Sequence, residues 1–352
     1  MVVGLHTIQR YGMTHYVSPA WYMLSNGAYG VNIFFEVSGF LITSLLLLED
    51  ETRGLVSLAG FYVRRAFRIL PPLYLYIGVI WGLGLAGLLH VEKIDVVGSA
   101  FFFHNLTGGS SWSLEHLWSI SVEEQFYLVW PFILVYFLRR KGIAARMRVA
   151  IFPATVIVLS PIARVLMRLS HDAAVRTASV HYVNFDFIMF GCLVAILQGT
   201  SRFETVYRFC TQVWWAPPLT LVLCDVVSVL YKNYFDLTVG FTIYGFAIAM
   251  FLLWCTRNAQ SIVGRVLNSW VMAKVGVLSY SIYLWQTLFL HEGNEAVFSW
   301  MPWLGRFPGN WVGFLVAGLS SHYLVERPSL KLRDVVVRRL REHRAAVALD
   351  GH

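Results

Sequence analysis

Trp118-Ser-Ile-Ser-Val-Glu-Glu-Gln-Phe-Tyr-Leu-Val-Trp-Pro131 sets two adjacent carboxylates, Glu123 and Glu124, at the mouth of an otherwise apolar run. An acid in or beside hydrocarbon costs at least about 2.5 to 3.5 kcal/mol on insertion scales, so such groups face a bundle interior or a water-filled cavity. The stretch therefore predicts a membrane-embedded helical bundle with a polar site inside it. The wider composition agrees: 57% of residues are hydrophobic, 16% aromatic and only 14% charged, against roughly 25% charged in a soluble domain.

Working outward, a spanning helix needs about 20 mostly apolar residues. Runs of that kind lie at 28–48, 69–89, 120–138, 149–167, 183–197, 213–230, 237–255, 272–290 and 311–325, with a short one at 1–6. These predict an all-α polytopic bundle of about ten transmembrane helices over 1–330, with a basic cytoplasmic tail at 331–352. The segment 96–106 is too short to cross and is expected to be re-entrant or interfacial. Alternate loops (53–68, 139–148, 202–208, 257–274) and the chain from Arg327 onward carry 21 of the 28 basic residues. By the positive-inside rule those loops and both termini are expected to be cytoplasmic. Topology and anionic lipid headgroups thus account for the net charge of +8, and no nucleic-acid partner is expected. The cysteines Cys192, Cys210, Cys224 and Cys255 are 18, 14 and 31 residues apart, which is neither metal-ligand nor disulfide spacing.

Five motifs occur in order: Gly30-Val-Asn-Ile-Phe-Phe-Glu-Val-Ser-Gly-Phe-Leu-Ile-Thr43, Phe61-Tyr-Val-Arg-Arg-Ala-Phe-Arg-Ile-Leu-Pro-Pro72, the Trp118 stretch, Leu278-Ser-Tyr-Ser-Ile-Tyr-Leu-Trp285 and Glu326-Arg-Pro328. Together they resemble the membrane-bound acyltransferase 3 family over nearly the whole chain. The resemblance implies a multi-pass bacterial inner-membrane enzyme that moves an acyl group, commonly acetyl from acetyl-CoA, onto a hydroxyl of a polysaccharide, glycolipid or lipid-linked sugar. Acyl-CoA is then a donor substrate and no cofactor is bound. The family sometimes carries a fused extracytoplasmic esterase-like domain that completes the transfer; this chain is expected to finish the reaction itself or to hand the acyl group to another protein, with polysaccharide-assembly proteins as candidate partners. A sugar or lipid-intermediate transporter, or an inactive relative, would explain the same bundle.

The resemblance also implies site residues. Val2-Val-Gly-Leu-His6 matches the family's Val-Val-x-x-His pattern, making His6 the expected catalytic histidine, as general base or as a transient acyl carrier. The family has an Arg or Lys eleven residues before that histidine, a position that here precedes Met1, so the first helix is expected to have lost its beginning. His15 is the rival, without the preceding valines. Arg65 and Arg68 match an Arg-x-x-Arg element on one helix face, suited to coenzyme A phosphates and expected just before a helix starting at Pro71-Pro72. Glu124 is expected to face the site, three residues before Tyr127, with Glu123 pointing about 100° away. Ser121 and Glu124 also fit a capping box at a helix start. Asn32 stands where the family usually has Asp, with Glu36 one turn along as a substitute carboxylate. Ser38-Gly39 would permit close helix approach. Tyr283 and Trp285, with Tyr280, could stack on a sugar or serve as interfacial aromatics.

Overall fold

The computed structural model describes residues 2–10, 27–107, 109–139, 143–169, 185–198, 200–212, 215–230 and 239–350. Among them the chain is helical and no strand occurs. Among the described residues three helices are long and apolar enough to cross a membrane: Tyr29–Arg53, Leu58–Leu85 and Arg146–Met167. Phe185–Leu197 and Phe241–Arg257 are shorter apolar helices. The chain divides into two compact units, each built from two separated stretches: Met1–Val56 with Trp118–Met272, and Ser57–Leu117 with Ala273–His352.

The first unit contains α1 (Val2–Arg10), α2 (Gly27–Arg53), α7 (Leu117–Leu138), α8 (Ile143–Leu169), α9 (Phe185–Leu197), α10 (Ser201–Gln212), α11 (Ala216–Leu230), α12 (Phe241–Arg257) and α13 (Ile262–Leu267). Helix α2 packs most extensively on α9, and α1 and α12 also lie against α2. Glycine makes the α2–α9 approach possible. A Cβ on Gly39 would sit 2.1 Å from the Ile188 carbonyl oxygen, and one on Gly191 would sit 2.0 Å from the Glu36 carbonyl oxygen and 2.6 Å from the Phe40 nitrogen. Backbone thus meets backbone, as expected for Gly39 and in the manner of small-residue membrane interfaces. Gly191→Ala should overpack this crossing by about 1–3 kcal/mol, read as a lowered thermal unfolding midpoint in detergent. Trp130 on α7 donates its indole N–H to the Thr43 hydroxyl at 2.9 Å, which ties α7 to α2.

In the second unit α3 (Leu58–Leu85) begins eleven residues before the expected 69, capped by the Ser57 hydroxyl, which accepts from the Gly60 N–H at 3.2 Å. Pro71 and Pro72 therefore lie inside the helix rather than at its start, and Arg65 and Arg68 are helical. Proline at 71 leaves the Phe67 carbonyl without its usual partner, and the Ser329 hydroxyl supplies one at 2.8 Å. Tyr280 donates to the nearby Ile69 carbonyl at 2.9 Å. Rescue by neighbouring helices lets membrane helices keep internal proline.

Segment 96–106 falls in two short helices, α4 (Lys93–Ala100) and α5 (His104–Thr107), and a third, α6 (Trp112–Glu115), follows them. The buried Asp95 holds them: one carboxylate oxygen accepts from the Ser111 N–H at 2.9 Å and the other from the Thr107 hydroxyl at 3.4 Å. Burial pushes the Glu115 carboxyl above its usual range, opposed by His104 and reinforced by Asp95. Helix α14 runs over Trp270–Phe289, crossing from one unit's sequence into the other's, and α15 (Gly309–Ser321) passes through a π turn, His322–Glu326, into α16 (Arg327–Asp350). Helix α16 packs on α3.

Candidate functional site

Helix α2 presents Asn32 and Glu36 one turn apart, hence on one face. They are 1% and 0% exposed, and neither Asn32 amide atom nor Glu36 carboxyl oxygen has a hydrogen-bond partner among the described residues. Buried polar atoms in native proteins are nearly always paired, so these four atoms are candidates for contact with water or a bound molecule. Helix α1, carrying the half-buried His6, packs on this helix. Two residues on from Glu36, Ser38 donates its hydroxyl to a Glu123 carboxylate oxygen at 2.6 Å. The Tyr127 hydroxyl closes a short three-membered cluster with Ser38 and the same Glu123 oxygen.

Glu123, not Glu124, therefore makes this inter-helix contact. The expectation for Glu124 used spacing i, i+3 to Tyr127; spacing i, i+4 brings Glu123 about 40° from Tyr127 around the helix, against about 60° for Glu124. Glu124 is half-buried. The capping box is also absent, because α7 starts at Leu117 and leaves Ser121 within its second turn.

Arg164, in the last two turns of α8, is 0% exposed. It donates to Asp186 at 2.7 Å and to the Thr242 hydroxyl at 3.0 Å, with Phe241 under its guanidinium at 5.5 Å. The second Asp186 oxygen has no partner among the described residues. Asp186 on α9 and Glu36 on α2 are both fully buried on helices that pack together.

The second unit holds the remaining expected residues. Arg65 lies half-buried over the Phe61 ring at 5.9 Å, and Arg68 is exposed. Tyr283 donates its hydroxyl to the His116 carbonyl at 2.8 Å, and Trp285 stands edge-on to Tyr76 at 5.4 Å. Around them runs a network that sequence reading missed. The Tyr76 hydroxyl donates to the Ser113 carbonyl at 2.6 Å and lies 2.9 Å from the Thr287 hydroxyl, which is 3.1 Å from the His116 imidazole. His116 is buried between the Tyr76 and Tyr283 rings. Its signal was legible: a histidine two residues before Trp118 that neither loop charge nor apolar pattern requires. His15 lies outside the described residues.

A family model described as an acyltransferase domain matches residues 1–324. The chain belongs to the acyltransferase 3 family. YrhL of Bacillus subtilis (strain 168), assigned as a peptidoglycan O-acetyltransferase, is 30% identical over 300 residues, covering 78% of this chain and 45% of YrhL. The peptidoglycan O-acetyltransferase OatA of Listeria monocytogenes serovar 1/2a is 26% identical over 297 residues, covering 78% of this chain and 46% of OatA. SACOL0978 of Staphylococcus aureus (strain COL), assigned as an O-acetyltransferase, is 36% identical over 149 residues, 38% of this chain and 24% of that protein. The acyltransferase 3 chain thus spans less than half the length of the curated relatives it matches. No solved structure matches it.

Proposed function

We propose that this acyltransferase 3 chain is a membrane O-acetyltransferase that moves acetyl from acetyl-CoA to a hydroxyl of a cell-wall glycan, with peptidoglycan as the acceptor. The observation that carries this is the pair Asn32 and Glu36, unpartnered among the described residues, on α2, the helix on which the helix of His6 also packs, in a chain of this family. His6 takes the proton from the acceptor hydroxyl as its oxygen attacks the thioester carbonyl. The carbon–sulfur bond then breaks and the proton passes to the departing thiolate, leaving coenzyme A and an acetyl ester. The Asn32 amide N–H groups supply donors for the oxyanion that forms on the carbonyl. Glu36, and Glu123 with its Tyr127 and Ser38 hydroxyls, supply the carboxylates that stabilise an imidazolium.

Arg65 and Arg68 hold donor phosphates, since guanidinium forks match phosphate oxygens. Arg68→Ala should remove one charge-assisted contact of about 1.5–3 kcal/mol and raise KM for acetyl-CoA about tenfold or more, with kcat little changed. The reading itself is tested by following acetyl label from acetyl-CoA into the peptidoglycan of membranes carrying the protein. Label above that of membranes without it supports the transferase; none, with the protein present and folded, favours a transporter.

A further inference from the structure

Tyr283, Gln286 and Thr287 stand at i, i+3 and i+4 on α14 and so share one face. Tyr283 and Thr287 both reach His116, which sets that face against the short-helix segment of the second unit. Gln286, between them, is 0% exposed, and neither its carboxamide oxygen nor its nitrogen has a hydrogen-bond partner among the described residues. The adjacent Trp285 indole N–H is likewise buried and unpartnered. The surroundings are not short of satisfied polar groups. Tyr76, Ser113 and Thr287 bond one another, and the Asn294 amide donates to the Leu288 carbonyl at 2.9 Å and to the Ser113 hydroxyl at 3.3 Å. Tyr76, Ser113, Thr287 and Asn294 are thus paired, whereas the buried Gln286 carboxamide and Trp285 indole N–H have no partner among the described residues, which makes those two the groups left over for a bound molecule.

The chemistry of the visitor follows from the groups left over. A carboxamide offers two donors and an acceptor, and an indole offers one donor. Beside them lie the aromatic rings of Tyr76, Tyr283 and Trp285. An acyl chain would leave every one of these polar atoms unmet, and a phosphate would find no Lys or Arg among these residues. A sugar ring meets both demands, because its C–H face packs on aromatic surface while its rim hydroxyls donate and accept. We propose that Gln286 and the Trp285 indole N–H form a subsite that binds one sugar ring of the acceptor glycan. This rests on the reading of the chain as a glycan acetyltransferase.

The test is binding of a β-1,4-linked N-acetylglucosamine tetramer to the full chain in lipid nanodiscs, measured by titration calorimetry without acetyl-CoA. Gln286→Leu should weaken binding tenfold or more. Trp285→Phe, which keeps a ring and loses only the N–H, should weaken it several-fold and carries the test if Gln286→Leu fails to fold. No binding by the parent chain, or variants that bind as the parent does, would overturn the subsite. Acetyl labelling in parallel separates the two ideas. Label with binding insensitive to both variants sinks the subsite alone, whereas binding that depends on Gln286 with no label leaves the subsite standing and overturns the transferase reading.

Discussion

His6→Ala is expected to cut acetyl transfer by about 10²- to 10⁴-fold, the usual worth of a positioned general base. His6 is half-buried on a nine-residue helix, so its loss removes little packing, and protein abundance and thermal midpoint should stay near those of the parent. The measurement is the initial rate of acetyl label appearing in peptidoglycan at matched protein levels. If the histidine instead carries the acetyl group covalently, labelled His6 peptide should be recovered after a brief acetyl-CoA pulse. Transfer that survives His6→Ala would move the base elsewhere, with His116 and His15 as the next residues to change.

Arg164→Ala should cost about 3–5 kcal/mol, because it strands Asp186 in a dry interior with no counter-charge. Replacing both partners, as Arg164→Leu with Asp186→Leu, should recover most of that loss, since a buried ion pair often contributes no more than well-packed apolar side chains of similar volume. Thermal unfolding in detergent of the parent, the single variant and the double variant checks this. A single variant as stable as the parent would show that the pair is not dry. The double variant carries a second message. Normal transfer would confine the pair to folding, whereas restored stability without transfer would place Asp186, with Glu36, in the reaction.

Much of the helix pattern was legible because apolar runs report burial in lipid directly. Helices α2, α7, α8, α9 and α12 fall where the runs lie, with ends displaced by a few residues. The early start of α3 was not legible. Pro71-Pro72 reads locally as a helix start, and the hydroxyls that meet the carbonyls beside it come from Tyr280 and Ser329, more than 200 residues away. The Glu123–Glu124 pair was conspicuous in the sequence, but which acid meets Ser38 depends on how α7 is turned about its axis, and the expected start at 120, three residues late, does not report that. The ion pair of Arg164 was not legible, because its partner Asp186 lies 22 residues along the chain on another helix, outside any local window. Asn32 and Glu36 were legible as unusual residues, yet only burial without partners separates an idle polar group from an expectant one.

The hydroxyl that meets the Phe67 carbonyl comes from Ser329, 262 residues later in the chain. At about 5–20 residues per second of synthesis, the proline-broken helix waits roughly 13 to 50 s after it is made before that partner leaves the ribosome. The whole first unit from Trp118 onward is synthesised during the pause. Deletion of α16 is therefore expected to do its damage early in the chain, leaving α3 as the segment most exposed to quality-control proteases in the cell.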